Sequence, residues 1–269
     1  MGILLLVFFL SGVCALAYQV IWIRLFGLVF GGTVLSMSVV VAVFMGGLAL
    51  GSHIIGRYAE KVGNRVRLYG ILEIVLGVTA TLVLFGIDHL AGFIYILPFS
   101  TDIHSFSGIA VRIILSGVLL IVPTMIMGGT LPILVRAVTD DKNRIIVNTS
   151  LLYAVNTMGA MIGACTVGFV FIRVFGVSMT NHMAAAINIL MGVVAILISG
   201  RFESTPDSAE SGSDTGKSLS DDRGVRFIVT LGITGFAGLT LEMVWLRMML
   251  LTFNNTIYLY TIVLSVYLL

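Results

Sequence analysis

Polar side chains that could bind a ligand lie within long apolar stretches of this chain, Glu242 near the carboxyl end and Gln19 near the amino end. A charge in hydrocarbon costs at least about 2.5 kcal/mol on insertion scales, so it is rarely kept without a partner or a function. A carboxylate beside aromatic rings favours an amine cation, because charge pairing adds to a cation–π attraction of about 2 kcal/mol. We therefore predict a small-cation site from these two residues, with aromatic walls supplied by Tyr18, Trp22, Trp245 and Tyr258.

A second interpretation of Glu242 stays open. Glu242 could pair with Arg24 or Arg247 as a structural lock, while the two tryptophans form a belt at the membrane interface.

Gln19 and Glu242 occupy corresponding positions of an internal repeat. Residues 11–38, SGVCALAYQVIWIRLFGLVFGGTVLSMS, return in altered form at 234–261, TGFAGLTLEMVWLRMMLLTFNNTIYLYT. Many transporter folds are built from a repeat that opens two helical bundles in one chain. The matched residues are Gly12, Leu16, Trp22, Arg24, Phe30 and Thr33 with Gly235, Leu239, Trp245, Arg247, Phe253 and Thr256.

The composition places the chain in a membrane. Hydrophobic residues make up 58%, charged residues only 10%, and the mean hydropathy is +1.11. A soluble domain needs roughly a quarter charged residues. The apolar runs are about 20 residues long and do not alternate, which favours helices over a barrel. We predict an all-α polytopic membrane protein, and the net charge of +2 indicates no nucleic-acid partner.

Apolar runs divide the chain into two modules separated by a hydrophilic break. Six spans form a first module over 1–200, and residues 225–269 hold the first two helices of a second, repeat-related module. Residues 201–224 are rich in Ser, Asp and Gly and are expected to form a flexible cytoplasmic linker. The eight predicted spans are 3–26, 33–55, 68–87, 109–136, 149–174, 180–200, 226–250 and 254–269, with a loop and an interfacial piece over 88–108.

Basic residues predict the orientation, because Lys and Arg in short loops are retained on the cytoplasmic side. They concentrate in loops 56–67, 137–148 and 201–224. These loops and the amino terminus are therefore expected to be cytoplasmic, in a protein integral to the plasma (inner) membrane. Residues 1–17 are expected to be a span rather than a signal peptide, because they lack basic charge and recur internally.

Several motifs in order resemble the membrane region of spermidine-synthase-like membrane proteins. These are SGVCALAYQVIWIRLFG, FMGGLALGSHIIGRYAEKVGNR, VPTMIMGGTLPILVR, LLYAVNTMGAMIGACTVGF and TGFAGLTLEMVWLR. The resemblance implies a transporter-like helical region that is commonly followed by a soluble aminopropyltransferase-like domain. No glycine-rich loop of that catalytic domain occurs in this sequence, and we expect the polypeptide to continue past Leu269 or to come from a split gene.

A shorter segment, GRYAEKVGNR at 56–65, resembles the loop between helices two and three of major facilitator transporters. The fold is therefore expected to be loosely major-facilitator-like. The resemblance implies a charge network that favours one state of a gate, formed here by Arg57, Glu60, Lys61 and Arg65. An ordinary turn with positive-inside charge explains the same residues.

Other polar residues have weaker signals. Glu73 is expected near the cytoplasmic surface, where it could meet Arg65 or Arg67, and Asn156 and Asn188 are expected to bond across helices. Pro123 and Pro132 should kink the fourth span or break it beside a cavity. The cysteines and histidines lack ligand spacing, so neither a metal nor a cofactor is predicted.

Three classes of function fit these patterns. The chain could be a transporter-like module that binds or moves a small cationic metabolite such as a polyamine. It could anchor an aminopropyltransferase-type domain supplied downstream or by another chain. It could also be a structural subunit of a larger membrane complex. Direct catalysis by these residues is not expected, and the lipid bilayer is the first partner.

Overall fold

The computed structural model describes residues 2–30, 34–96, 106–139, 145–202, 222–252 and 257–268, and these residues are almost entirely helical, without a strand among them. Hydrocarbon offers no hydrogen bonds to the backbone, so apolar segments satisfy their own N–H and C=O groups by forming helices. The helices are α1 Gly2–Phe30, α2 Val34–Tyr58, α3 Arg65–Ile96, α4 Phe106–Val138, α5 Ile145–Thr166, α6 Ile172–Ile198, α7 Asp222–Thr252 and α8 Ile257–Leu268.

Six helical stretches in the described residues are long and apolar enough to cross a membrane. This confirms the prediction of an all-α, membrane-embedded protein. The stretches are Gly2–Leu28, Met37–Lys61, Arg65–His89, Phe106–Val138, Ile145–Arg201 and Val229–Met249.

The stretch Ile145–Arg201 has 57 residues, which would measure about 85 Å as one straight helix. A bilayer core is only about 30 Å thick. Two irregularities interrupt it, a π-helical turn at Val167–Phe171 and Gly176 at φ 78°, a backbone conformation that glycine adopts readily. The chain therefore turns at Gly176, slightly later than the end of the predicted fifth span at 174.

One other boundary differs from the sequence-based prediction. Asp88 and His89 belong to α3, which continues to Ile96, and the His89 ring nitrogen Nδ1 lies 2.9 Å from the carbonyl of Phe85 one turn before it. The predicted interfacial loop is thus shortened, and 97–105 lie outside the described residues. The predicted linker falls largely on 203–221, which also lie outside them.

Three helix pairs build the first module, here α1 to α6: α1 packs on α5, α2 on α4 and α3 on α6. Small residues allow these backbones to approach closely. A Cβ atom added at Gly12 would overlap the carbonyl of Asn156 of α5. Glycines at such contacts are Gly12, Gly159 and Gly163 between α1 and α5, Gly47, Gly51 and Gly128 between α2 and α4, and Gly70, Gly77 and Gly192 between α3 and α6.

Helix α4 runs through Pro123 and Pro132 without interruption. The Thr124 hydroxyl donates to the carbonyl of Leu120 at 2.7 Å, so polar groups beside Pro123 are bonded within the helix. The broken-helix alternative is therefore not observed.

Helix α8 packs against α5 and α7. The Cys165 sulfur lies 3.0 Å from the Ser265 hydroxyl, and Gly168 of the π-helical turn faces the Thr261 side chain. Helix α7, in contrast, leaves most of its apolar side chains exposed, including Phe236, Val244 and Met248.

Candidate functional site

A fully buried carboxylate lies where α1, α3 and α6 meet. Glu73 of α3 is 0% exposed. Its Oε1 accepts a hydrogen bond from the Ser11 hydroxyl of α1 at 2.6 Å, and its Oε2 accepts one from Nδ2 of Asn188 of α6 at 3.0 Å. The carboxylate therefore joins three helices by hydrogen bonds.

More polar atoms surround this carboxylate, and some lack partners. Tyr69 lies one turn before Glu73 on the same helix, and its buried hydroxyl interacts electrostatically with the carboxylate without forming a well-aligned hydrogen bond. Oδ1 of Asn188 is buried and also has no hydrogen-bond partner among the described residues. We call Ser11, Tyr69, Glu73 and Asn188 the Glu73 cluster.

Helix α1 contributes two further titratable side chains near the cluster. Cys14 donates to the Ala184 carbonyl of α6 at 3.6 Å, and both Cys14 and Tyr18 lie within electrostatic range of Glu73. Their spacing from Ser11, three and seven residues, puts all three on one helical face. That face of α1 therefore points towards Glu73.

The expectation that Glu73 meets Arg65 or Arg67 at the membrane surface is wrong. Glu73 lies eight residues beyond the start of α3, which is about 12 Å along the helix axis. That distance carries it into the bundle, where Ser11 and Asn188 are its partners. The prediction that Asn188 bonds across helices is confirmed. The signal in the sequence is an acid inside a predicted span, the same signal that Glu242 carries.

The predicted ligand residues on α1 are buried in the first module. Gln19 is 1% exposed, and Tyr18 and Trp22 are 0% exposed. The rings of Tyr18 and Trp22 stack at 5.3 Å, and Trp22 also contacts Phe44 of α2 at 6.4 Å between centroids. The Tyr18 hydroxyl and Trp22 Nε1 form no hydrogen bond with another described residue, so this aromatic group retains two donors without a partner in that part of the chain.

Glu242 lies on the one face of α7 that approaches the first module. It is 5% exposed, and its neighbours on that face, Leu239 and Met243, pack against the apolar core. The Ser38 hydroxyl of α2 donates to the Met243 sulfur at 3.8 Å. Among the described side chains no Lys or Arg forms an ion pair with Glu242. The structural lock with Arg24 or Arg247 is therefore not formed, and both arginines are exposed.

Trp22 and Trp245, which correspond in the repeat, occupy different environments. Trp22 is 0% exposed, whereas Trp245 is 55% exposed. Trp245 lines an open apolar cavity of about 240 Å³ together with Met248, Met249 and Thr252. Tyr258, the remaining predicted aromatic wall, has a side chain outside the described part of the chain.

The predicted gate residues lie where α2 ends and α3 begins. Glu60 forms an ion pair with Arg136 of α4 at 2.7 Å, and Nη1 of Arg65 donates to the carbonyl of Arg136 at 3.2 Å. Arg136 is the residue that the predicted network omitted. Arg57 and Lys61 are exposed, and neither forms an ion pair with another described residue.

Asn64 links this turn to a third helix end. Its Oδ1 accepts from the backbone N–H of Arg67 at 2.9 Å, which caps the start of α3. Its Nδ2 donates to the carbonyl of Ser199, just after α6, at 3.2 Å. The ends of α2, α4 and α6 therefore meet at one end of the first module. We call it the basic end, because it carries Arg57, Lys61, Arg65, Arg67, Arg136 and Arg201.

No group of three or more His, Cys, Asp or Glu side chains with metal-site geometry occurs within the described ranges. These acids are instead separate: Glu73 is enclosed in the first module, Glu242 faces it from α7, Glu60 forms an exposed ion pair, and Asp88 is exposed on α3. Comparison with models of protein families gives no match to this chain, and comparison with curated proteins gives none either.

Proposed function

We propose that the chain is the membrane module of a transporter-like protein that binds or moves a small cationic metabolite, with a polyamine as the first compound to test. The observation that carries this proposal is the position of Glu242. It is a buried acid on the side of α7 that faces the first module, and it has no Lys or Arg partner among the described residues. A cation would supply the missing countercharge.

The surroundings of Glu242 favour a substrate path between α7 and the first module. The contact between Ser38 and Met243 uses a weak sulfur acceptor, so it holds the helices together only loosely. Transporters commonly place their sites between repeat-related halves that rock against each other. The sequence repeat and the partial burial of α7 agree with that arrangement.

The basic end supports a gate in this proposal. The ion pair between Glu60 and Arg136 is exposed, and exposed pairs contribute only about 0–1 kcal/mol. A link of this strength can form and break during a transport cycle. It would join α2 to α4 in one state and release them in another.

The same proposal includes the number of spans and their orientation in the membrane. Eight spans would form a major-facilitator-like arrangement in a plasma (inner) membrane, with the basic end and the amino terminus in the cytoplasm. The resemblance to spermidine-synthase-like membrane proteins supports a polyamine as the cargo. An aminopropyltransferase-type domain, if one is attached, would supply or consume that compound.

The exposed apolar side chains of α7 support a second candidate function. Phe236, Val244 and Met248 are exposed along a helix that few described residues cover. Lipid can cover such a face, and so can another membrane subunit. In the second case the chain would be a structural subunit of a larger complex.

Uptake and binding of radiolabelled spermidine by the purified protein in liposomes would test the proposal. Glu242→Gln keeps the shape of the side chain and removes its charge, so we expect at least about a tenfold weaker Kd, equivalent to 1.4 kcal/mol. Asp88→Asn is the matched control, because it neutralises an exposed acid on α3. Equal binding by wild type and Glu242→Gln would contradict the cation site. Binding by neither protein would favour the anchor or subunit functions.

A further inference from the structure

We propose that Glu73 is a proton-binding site inside the first module, and that gain or loss of its proton changes the hydrogen bonds that join α1, α3 and α6. The inference goes beyond transport of a particular compound. It depends on the geometry of the Glu73 cluster and holds whether or not a polyamine binds near Glu242.

A structural ion pair does not explain Glu73. No Lys or Arg of the described residues contacts it. The nearest basic residues on its own helix, Arg67 and Arg65, lie six and eight residues away, about 9 and 12 Å along the axis. A permanently ionised, unpaired carboxylate in an apolar interior is costly, so a group of this kind is usually neutralised in at least one functional state.

The ionised form of Glu73 is satisfied by the cluster as observed. Ser11 donates to Oε1 and Asn188 donates to Oε2. The Tyr69 hydroxyl can rotate its proton towards the carboxylate as a third donor, since it forms no well-aligned hydrogen bond with another described residue. Hydrogen bonds to a carboxylate are roughly twice as strong as those between neutral groups.

The neutral form can be satisfied by the same residues. A protonated carboxyl group needs an acceptor, and two buried oxygens without partners lie beside it, the Tyr69 hydroxyl oxygen and Oδ1 of Asn188. Reversal of the Asn188 amide would place its oxygen where Nδ2 now lies. The carboxyl group of Glu73 therefore has hydrogen-bond partners in both protonation states, which is what a site that exchanges protons requires.

The other titratable groups facing Glu73 are Cys14 and Tyr18 of α1 and Tyr69 of α3, while α6 contributes the amide of Asn188. None of these is a carboxylate or a permanent cation. Uptake is a simple transfer in which the carboxylate accepts a proton from hydronium, giving a carboxyl group and water, with no redox change. A metal cation fits less well, because N–H and O–H donors already point at both carboxylate oxygens.

Infrared difference spectroscopy of the protein in nanodiscs tests the inference directly. We expect a carboxyl C=O stretching band that appears and disappears reversibly with pH between about pH 4 and about pH 10 and that shifts in D₂O. Glu73→Gln should lack the band, since its amide can keep bonds to Ser11 and Asn188 while losing the exchangeable proton. Glu242→Gln and Asp88→Asn should retain it, which assigns the band to Glu73.

A second measurement distinguishes loss of the proton-binding site from a folding defect. The difference in thermal stability between wild type and Glu73→Gln should change with pH, because only the wild type titrates at this position. A Glu73 band that stays constant with pH and in D₂O would overturn the inference, as would a band that responds to Na⁺ at fixed pH. Neither result depends on spermidine binding, so failure of this inference and failure of the proposed function are distinguishable.

Discussion

Asn188 of α6 donates to the Glu73 carboxylate of α3 at 3.0 Å, and both side chains are fully buried. This bond lies in the contact between α3 and α6, one of the three closely packed helix pairs. Lipid is as apolar as the bundle interior, so burial of apolar surface gives little reason for these helices to associate. The hydrogen bond to the buried carboxyl group of Glu73 gives α3 and α6 a directional interaction.

Asn188→Ala should therefore lower the free energy of unfolding by about 1–3 kcal/mol, because it leaves Oε2 of Glu73 without its donor. Unfolding by sodium dodecyl sulfate in mixed micelles, followed by circular dichroism, measures the change. Asn181→Ala is the matched control. Asn181 is equally buried on α6, but its amide donates at 3.2 Å to a neutral acceptor, the carbonyl of Ala80. An equal or larger loss at Asn181 would show that Glu73 is not an ionised acceptor.

The class of the protein was predictable from its composition, whereas the positions of its polar contacts were not. In hydrocarbon the backbone must satisfy its own hydrogen bonds, and a helix does this within one segment. Long apolar runs therefore predict helices well. Helix α1 is apolar on all sides, so its sequence does not distinguish the face towards α5 from the face towards lipid.

The two acids show where sequence reasoning failed. Glu242 is a candidate from sequence because the repeat places it opposite Gln19. The repeat does not show, however, that Trp22 is buried and Trp245 exposed. Glu73 has no repeat partner and follows two arginines, which suggested a surface ion pair. Its partners Ser11 and Asn188 are 62 and 115 residues away in the chain. Only the packing of three helices brings them together.

Gly47→Ala should destabilise the protein by about 1–3 kcal/mol through overpacking. A Cβ atom at Gly47 would overlap the Thr124 side chain, which itself donates to the carbonyl of Leu120 and is not free to move away. Gly46→Ala on the same helix is the control, since a Cβ atom there meets nothing within 4 Å. Unfolding in mixed micelles should show a loss only for the first variant. A similar loss for both would mean that α2 and α4 do not approach through Gly47.

Reversal of the charges in the ion pair at the basic end should reduce transport more than stability. Glu60→Arg and Arg136→Glu each place like charges together, and the double variant restores an opposite pair. Because the pair is exposed, we expect each single change to cost no more than about 1 kcal/mol of unfolding free energy. Initial uptake rates should fall in both single variants and recover in the double variant. If the charges of Glu60 and Arg136 act only as an orientation signal, the uptake rate of the double variant would not recover.

The orientation of the bundle can be tested at one position of the basic end and one position far along α3. Lys61 is at the basic end, whereas Asp88 lies 23 positions beyond Arg65, about 35 Å along the axis, and both side chains are exposed. In a variant with Cys14→Ala and Cys165→Ala, we expect Asp88→Cys to react with a membrane-impermeant maleimide in intact cells. Lys61→Cys should react only after permeabilisation, because basic loops are retained in the cytoplasm. The reverse labelling pattern would place the basic end outside and contradict the proposed cytoplasmic gate.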